Sequence, residues 1–340
     1  MSKPIIAFYD IYATDHGYFE ETLGKDYELT FTPRNLNPET ADLAAKAEII
    51  CIRNASRATA EVMAKMPHLK HIALRITGFD NVDLDYARTH GISISNVPSY
   101  GEATVAEYAI MLLLAVSRRL MLAAHSVHAG VIKPAKLMGH DLHGKTLGII
   151  GAGRIGRHAA KIGRGFGMNV IAYDPYPNES AAADIGYQYV PLDELLERSD
   201  CISLHAPATP ENHHLLGAKQ FAKMKTGVFI VNTGRGAVID TLALIEALES
   251  KKVGGAGLDV LEGEEYIQVA PELHLLEEKR IDEQARQALS LDILQKMPNV
   301  LITSHNAFNS IEALSRIRET TAANIQAFRA GQSQNRVGHE

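Results

Sequence analysis

Short apolar strands alternate with helical stretches twice along this chain, and that rhythm limits the possible folds more than any other property. The strand-like runs are PIIAFYD, EIICIRN, HLKHIALR and GISISNV, followed after Lys145 by TLGII, NVIAYD, YQYV, CISLHAP, GVFIVN, GGAGLDV and NVLITSH. Strands that alternate with helices are typical of parallel sheets covered by helices on both faces. The chain has 340 residues, too many for one core, because a domain usually takes about 150. The sequence predicts an α/β fold of two doubly wound parallel-sheet domains.

Helical periodicity adds several features to this outline. Apolar residues fall on most faces from Glu102 to about Ala129, which predicts one long helix packed between two bodies. A last helix, Ser310 to Ala330, is expected to fold back onto the first domain. Between Glu264 and Pro298 the chain is polar and charged, which indicates a surface excursion beside a site. Asp240 is predicted to cap the helix that follows it, because its carboxylate can accept from free amides of the first turn.

Composition argues against several classes of partner. A formal net charge of -6 disfavours nucleic acid and anionic membranes, because both repel an acidic surface. The start of the chain lacks the pattern of a signal peptide, and its most apolar stretch is too short to span a bilayer. Cys51 and Cys201 sit in strand-like runs and are expected to be buried free thiols, which favours a cytoplasmic location. No metal site is predicted, and His213 and His214 are interpreted as surface or packing residues.

A glycine-rich turn gives the sharpest local signal. Gly151, Gly153 and Gly156 form a GxGxxG motif, with Arg154 and Ile155 inside it, between an apolar strand and a helix. Glycine permits the tight turn and the close approach of a pyrophosphate to the helix N-terminus.

A second strand follows this motif and ends in Asp174, eighteen positions after Gly156. A carboxylate there can accept from the ribose hydroxyls of NAD and repels the 2'-phosphate of NADP. The residues after Asp174 include no cation for that phosphate. NAD is therefore the predicted cofactor.

Three further strands end in ionisable residues, at the edge where open α/β sheets bind ligands. Arg235 follows GVFIVN, Asp259 and Glu264 follow the next strand, and His305 follows NVLITS. Arginine binds a carboxylate through two hydrogen bonds, and histidine exchanges protons near neutral pH. These residue types suit the reduction of a keto acid, which needs a carboxylate anchor and a proton donor.

Seven stretches in this order and spacing give the chain a close resemblance to a known family. They are ALRITGFDNVDL, NVPSYGEATVAEYAI, GIIGAGRIG through YDPYP, DCISLHAPATPENHHLLG, VNTGRGAVID, LDVLEGE and NVLITSHNAF. The chain resembles the D-isomer-specific 2-hydroxyacid dehydrogenase family over nearly its full length, and within it the fermentative D-lactate dehydrogenases. The resemblance implies His305 as acid and base, Glu264 as its carboxylate partner and Arg235 as the substrate clamp. The chain departs from those D-lactate dehydrogenases at Gly234 and Asn306, where they carry Ser and Gln.

The resemblance also implies the remaining site residues. Amides around Thr77 and Gly78 would receive the substrate carboxylate, and Tyr100 would line the substrate pocket. The residues implied to border NAD, besides the glycine motif and Asp174, are Thr104, His205, Pro207, Thr233 and Asp259.

The same resemblance implies a domain layout and an assembly. Residues 1–99 and 300–340 would form a flavodoxin-like substrate domain, with a Rossmann-type NAD domain, residues 100–299, inserted into it. It further implies a homodimer, or a tetramer built from it, that uses the helix region 102–129. The predicted partner is a small 2-keto or 2-hydroxy acid, with pyruvate and D-lactate the leading pair.

Several alternatives stay open at this point. Glu262 and Glu265 compete with Glu264, Arg75 is either a substrate contact or a salt-bridge partner, and Tyr100 could be core packing. Enzymes for larger 2-keto acids, such as 2-ketoisocaproate, differ only in pocket volume. A related class of NAD-sensing corepressors shares the fold and the triad, but the chain has no basic localisation run. Two other classes of dehydrogenase are not expected. Formate dehydrogenases pair the histidine with Gln, so Glu264 argues against them. Phosphoglycerate dehydrogenases usually carry a C-terminal regulatory domain, which the sequence is not expected to contain.

Overall fold

The computed structural model describes residues 3–131, 137–263 and 281–338. The chain divides into two compact units. Unit 1 comprises Met1–Tyr100 and Ser310–Glu340, and unit 2 comprises Gly101–Asn309.

The strands and helices of the described residues are numbered here in chain order. The strands are β1 Ile5–Phe8, β2 Glu28–Phe31, β3 Ile49–Ile52, β4 His71–Leu74, β5 Ser93–Ser95, β6 Thr146–Ile150, β7 Asn169–Tyr173, β8 Gln188–Tyr189, β9 Cys201–Leu204, β10 Val228–Asn232, β11 Val253–Leu258 and β12 Val300–Ile302. The α-helices are α1 Ala13–Leu23, α2 Ala60–Ala64, α3 Leu84–Thr89, α4 Glu102–Ser117, α5 Leu120–His128, α6 Arg154–Gly165, α7 Glu179–Ile185, α8 Leu192–Arg198, α9 Ala218–Lys223, α10 Thr241–Glu249, α11 Ile281–Lys296 and α12 Ile311–Arg329.

Unit 1 is built on a five-stranded parallel sheet with the order β2-β1-β3-β4-β5. Its central strands β3 and β4 are buried along their whole length, as expected for apolar strands covered on both faces. Helix α12 packs against α1 and β4, so the last helix closes the core of this unit. The predicted return of that helix to the first domain is confirmed.

Unit 2 contains a seven-stranded parallel sheet with the order β12-β11-β10-β9-β6-β7-β8. Strand order reverses between β9 and β6, and ligands of open α/β sheets bind outside the carboxyl ends of the strands at such a point. Helix α4 buries eight residues against this sheet and α6. The predicted α/β class with two parallel-sheet domains is thus confirmed.

The predicted single helix from Glu102 to Ala129 is wrong, because α4 and α5 meet at an angle of 61°. Arg119 lies at the break with a left-handed φ of 51°, a conformation that ends a right-handed helix. The sequence pattern also missed the edge strand β2, whose residues are only half buried. Residues Ala41–Ala44 form a short 3-10 helix.

The second domain boundary differs from the predicted one. Strand β12 pairs in parallel with β11, so residues 300–309 belong to unit 2 and not to unit 1.

Cys51 and Cys201 are both buried and free, as expected. The carboxylate of Asp240 accepts from the amide of Ala243 at 3.1 Å, which confirms the predicted cap of α10.

Among the described residues, no single helix is long and apolar enough to cross a membrane. The bent pair α4 and α5 reaches the required length and hydropathy only when its two helices are taken together.

Candidate active site

The glycine turn between β6 and α6 leaves an open cradle. Gly151 has a φ of +89°, and a Cβ there would lie 2.7 Å from the amide nitrogen of Ala206. A Cβ on Gly156 would lie 2.1 Å from the carbonyl oxygen of Gly151, so both glycines are required by close backbone packing. Gly153 precedes the first turn of α6, and a Cβ there would meet nothing within 4 Å. That open space at a helix N-terminus fits the pyrophosphate of a dinucleotide.

Asp174 lies directly after β7 and is fixed beside the cradle. Its Oδ2 accepts from the amide of Ala152 at 2.8 Å, and its Oδ1 accepts from the amide of Tyr176 at 2.9 Å. A carboxylate has about four lone-pair sites, so two remain for the hydroxyls of a ribose. Arg154, at the start of α6, pairs with Glu102 at 3.7 Å and is thereby held at the rim of the same turn.

The turn that carries Arg235 is shaped by a buried amide. Asn232 ends β10; its Oδ1 accepts from the amide of Gly234 at 3.0 Å, and its Nδ2 donates to the carbonyl of Arg235 at 2.9 Å. Arg235 is exposed, and its Nη1 donates to the carbonyl of Gly234 at 2.9 Å. The exposed guanidinium therefore retains donors for a bound carboxylate.

Asp259, directly after β11, holds the segment that carries His305. Asp259 is only 1% exposed. Its Oδ1 accepts from the hydroxyl of Thr303 at 2.5 Å and from the amide of Asn306 at 2.8 Å, and its Oδ2 accepts from the amide of Ala307 at 2.8 Å. Asp259, which the resemblance implies as a neighbour of NAD, uses three of about four lone-pair sites of its carboxylate for these contacts within the protein. Asp259 therefore acts as an anchor for the 303–307 segment.

His305 is half-buried and has a left-handed φ of 52°. Such a backbone is uncommon for a residue with a side chain, and it persists only where the surroundings fix it. The amide of His305 donates to the carbonyl of Asp259 at 2.9 Å, and the amide of Asp259 donates to the carbonyl of Asn232 at 2.9 Å. These backbone hydrogen bonds across neighbouring strands bring Arg235, Asp259 and His305 to the same edge of the sheet.

Two supporting residues, Asn232 and Thr303, were missed by the sequence analysis. A polar residue at the end of an apolar strand, as in VFIVN, is the signal that could have identified Asn232. Thr303 has no comparable signal, because its partner Asp259 lies forty-four residues away.

His205 follows β9 and is kept neutral. Its Nε2 lies 2.9 Å from the hydroxyl of Ser203, and its Nδ1 lies 3.4 Å from the hydroxyl of the buried Thr233. Burial lowers the pKa of His205 to about 4, because the charged imidazolium loses hydration there. Of the other residues expected to border the cofactor, Pro207 is exposed and Thr104 lies in the first turn of α4.

The remaining predicted site residues lie elsewhere in the chain. Thr77, Gly78 and Tyr100 belong to unit 1, where the hydroxyl of Thr77 donates to the carbonyl of Val97 at 2.8 Å. Glu264, predicted to be the partner of His305, lies outside the described residues.

Arg75, left open by the sequence, is a buried salt-bridge partner. It is 2% exposed, its Nη1 lies 3.6 Å from Asp15, and its Nη2 donates to the carbonyls of Tyr9 and Asp10 at 2.7 and 2.8 Å. Its guanidinium is thus directed to groups of its own unit.

Comparisons with known proteins identify a family for the chain. Residues 110–307 match the family described as D-isomer specific 2-hydroxyacid dehydrogenase, NAD binding domain. The D-lactate dehydrogenase of Escherichia coli is 39% identical over 337 residues, which cover 96% of this chain and 98% of that protein. An aromatic 2-oxoacid reductase of Clostridium sporogenes is 37% identical over 313 residues, which cover 91% of each chain.

A solved structure with bound ligands is also similar. D-lactate dehydrogenase from Aquifex aeolicus, complexed with NAD and lactic acid, superposes with a TM-score of 0.84 at 35% identity and covers 96% of each chain. The predicted cofactor, NAD, is confirmed. The chain belongs to the D-isomer specific 2-hydroxyacid dehydrogenase family, and its unit 2 contains the NAD binding domain of that family.

Proposed function

We propose that this NAD-dependent 2-hydroxyacid dehydrogenase is a D-lactate dehydrogenase that reduces pyruvate. The observation that carries the proposal is the chain of contacts from Asn232 through Asp259 to His305, which holds an exposed arginine and a constrained histidine on one sheet edge. An arginine and a histidine fixed in this way suit a substrate that has a carboxylate beside a carbonyl.

Arg235 anchors the substrate carboxylate. Its planar guanidinium can donate two parallel hydrogen bonds to the two carboxylate oxygens, which fixes the orientation as well as the position of a keto acid. Asn232 and Gly234 set the path of the turn, so the guanidinium stem starts from a fixed backbone.

His305 donates the proton. When bound, NADH would supply a hydride, which is one proton with two electrons, to the carbonyl carbon, and the carbonyl oxygen then needs one proton from the protein. The imidazolium of His305 gives that proton to the oxygen, and neutral His305 takes it back when the hydroxy acid is oxidised. In this proposal Glu264 is the carboxylate partner of His305.

The preference for a small side chain is the finer part of the proposal. The E. coli relative is named for D-lactate, which supports pyruvate, whereas the C. sporogenes relative is named for aromatic 2-oxo acids. A reductase for a larger 2-keto acid is therefore the second candidate. The two differ in pocket volume, and each methylene changes selectivity by about 1 to 3 kcal/mol.

We also propose that the protein is a cytoplasmic homodimer that associates through α4 and α5. None of the nine residues of α5, all of which are described, is buried. Leu120, Met121 and Val127 on this helix are 55, 47 and 60% exposed, an apolar surface that a second copy would cover. The buried free thiols of Cys51 and Cys201 support a reducing compartment.

A panel of keto acids tests the substrate proposal. Initial rates with NADH are measured for glyoxylate, pyruvate, 2-ketobutyrate, 2-ketoisocaproate and phenylpyruvate, and the product is assigned by chiral chromatography. We expect kcat/KM to be highest for pyruvate and the product to be the D-isomer. A higher value for phenylpyruvate or 2-ketoisocaproate would select the second candidate. Tight NADH binding without turnover of any keto acid would instead indicate a corepressor-like NAD sensor.

A further inference from the structure

Three possible metal ligands converge on the loop before α9, apart from the residues assigned to catalysis. Nε2 of His214 lies 2.6 Å from Oε1 of Glu262, and Nε2 of His213 lies 4.0 Å from the same oxygen. One donor atom from each residue falls within 4.8 Å of the others. An ion bound by imidazole nitrogens and a carboxylate oxygen sits about 2.0 to 2.2 Å from each, so shifts of an ångström or less would close this cluster around it.

The backbone brings the two adjacent imidazoles to the same side. His214 has a left-handed φ of 51°, whereas neighbouring side chains on an extended chain point in opposite directions. The two rings stack with their centroids 3.9 Å apart. The amide of His214 donates to the carbonyl of Ala237 at 2.9 Å, which fixes this conformation.

Glu262 and His214 each have a further polar group on the side away from the cluster. Oε2 of Glu262 accepts from the hydroxyl of Thr241 at 3.0 Å, which leaves Oε1 for an ion. Nδ1 of His214 lies 4.0 Å from Oδ2 of Asp240, on the opposite side of the ring from Glu262. This distance is beyond that of a hydrogen bond, and a shift of about an ångström would bring Asp240 into the outer contact that usually orients zinc-bound imidazole.

We propose that His213, His214 and Glu262 bind one divalent ion of the zinc class. Two imidazoles and one carboxylate form a ligand set that Zn²⁺ accepts with a fourth position left open, and Ni²⁺ and Cu²⁺ prefer the same nitrogen donors. His213 is 57% exposed in its side chain and also lines a cavity of about 540 Å³ with Ala208, Thr209, Pro210 and Ala237. The fourth position is therefore accessible to water or to a small anion.

The position of this site links it to the turn of Arg235. Ala237, which receives the amide of His214, belongs to the 3-10 helix that starts one residue after Arg235. Gly236 in that helix packs so closely on Leu261 and Glu262 that a Cβ would lie 2.0 Å from the carbonyl carbon of Leu261. A bound ion would thus join the loop, the turn and the 261–262 segment into one fixed group.

Equilibrium dialysis of the tag-free, full-length protein against Zn²⁺, with the metal counted by atomic emission, tests the site. We expect about one ion per chain, a rise of Tm with Zn²⁺, and the visible bands of tetrahedral Co²⁺ when cobalt is the probe. His213→Ala should weaken Zn²⁺ affinity by about tenfold or more without disturbing the His214–Glu262 contact. His214→Asn and Glu262→Gln should do the same, and Asn tolerates the left-handed backbone.

His68→Ala and Glu197→Gln, which replace exposed residues far from the cluster in sequence, serve as matched controls and should bind like the parent. A parent protein that binds no Zn²⁺ would overturn the proposal. It would equally be overturned if Zn²⁺ bound but all three site variants kept the affinity and the Tm shift of the parent, because the ion would then sit elsewhere. A loss in the site variants alone, with circular dichroism unchanged, supports the site.

Discussion

The arginines at the carboxyl edges of the two sheets differ in exposure: Arg75 is buried in an ion pair, whereas Arg235 is exposed. In unit 1, Arg75 lies directly after β4 and is buried against Asp15, which also pairs with Arg318 at 3.3 Å. In unit 2, Arg235 is exposed, and the groups that hold its turn are uncharged. Burial and the nearby Arg53 lower the pKa of Arg75 to about 10, so it stays charged and must keep its partners.

The buried arginine is expected to contribute to the stability of the fold, and the exposed arginine to ligand binding. A buried ion pair fixes a structure, because removal of one partner leaves the other charge without compensation. A charge held at an exposed turn is available to a ligand, and its loss costs binding but little stability. The two edges are thus expected to respond differently to the same kind of substitution, and four experiments examine that expectation.

The largest effect is expected for His305→Asn. Asn tolerates the left-handed backbone of His305, so folding should be kept while the proton donor is lost. We expect kcat to fall by about 10² to 10⁴, the usual range for one general acid, with the NADH dissociation constant unchanged. Stopped-flow reduction and fluorescence titration measure the two quantities. A variant that keeps the parental kcat would remove His305 from the proposed role.

Arg75→Met should act on stability in unit 1. It leaves the Asp15 carboxylate with Arg318 alone and two backbone carbonyls without their donor. We expect the free energy of unfolding to fall by about 3 to 5 kcal/mol, as when a buried ion pair loses one member. Urea unfolding followed by circular dichroism measures it. Arg88→Met, which breaks an exposed pair with Asp85, should cost under about 1 kcal/mol. Equal losses in the two variants would show that burial does not make the Arg75 pair more important for stability than an exposed pair.

Two glycines of unit 2 should separate packing from binding. Gly156→Ala brings a methyl group within 2.1 Å of the carbonyl oxygen of Gly151, and we expect a loss of about 1 to 3 kcal/mol from overpacking. Gly153→Ala meets no atom within 4 Å and should change stability by less than about 0.5 kcal/mol. It should nevertheless weaken NADH binding by about tenfold, because the methyl group occupies the space for the pyrophosphate. Unchanged NADH affinity in Gly153→Ala would place the pyrophosphate elsewhere.

The smallest effect concerns pH and a buried histidine of unit 1. His71 lies between the hydroxyls of Ser93 and Ser95, at 2.7 and 2.9 Å, and burial lowers its pKa to about 3. An unfolded chain binds a proton at His71 near pH 6.5, whereas the folded chain does not until about pH 3. The neutral ring therefore makes its full contribution to the free energy of unfolding above pH 6.5. That contribution decreases on acidification by at most about 1.4 kcal/mol per pH unit.

His71→Gln keeps hydrogen-bonding groups but cannot titrate. We expect the slope of the unfolding free energy against pH, between pH 6 and 4, to be lower than in the parent by up to about 1.4 kcal/mol per pH unit, which is the contribution of one proton. His68→Gln, at an exposed position, should leave the slope unchanged. A parental slope in His71→Gln would show that other groups dominate this acid sensitivity, with the neutral His205 of unit 2 the first of them.

Local signals predicted much of the fold and the cofactor. The glycine motif and Asp174 are close in sequence and carry their geometry with them, since a strand, a turn and a helix form within thirty residues. The central strands could be predicted because strands buried on both faces are continuously apolar. Edge strand β2 could not, because ELTF is short and half exposed.

Long-range contacts set the limit of prediction. The partners of Arg75 cannot be read from its neighbours, because the ion pair with Asp15 forms only when β4 and α1 come together. The break at Arg119 is similar, since LAVSRRLML is helical by composition and only packing reveals the kink. In the same way, Glu262 meets His214 across forty-eight residues, and no spacing rule predicts that cluster.

Unit 1 is built from two segments that lie at opposite ends of the chain, because helix α12 belongs to it. Asp15 and Arg318 are 303 residues apart, so a ribosome that adds about 5 to 20 residues per second makes them roughly 15 to 60 s apart. Throughout that interval the first five strands exist without the helix that closes their core, whereas the whole of unit 2 is contiguous and leaves the ribosome in one stretch. The part of the protein that is made first can therefore complete its core only after the last part has been made.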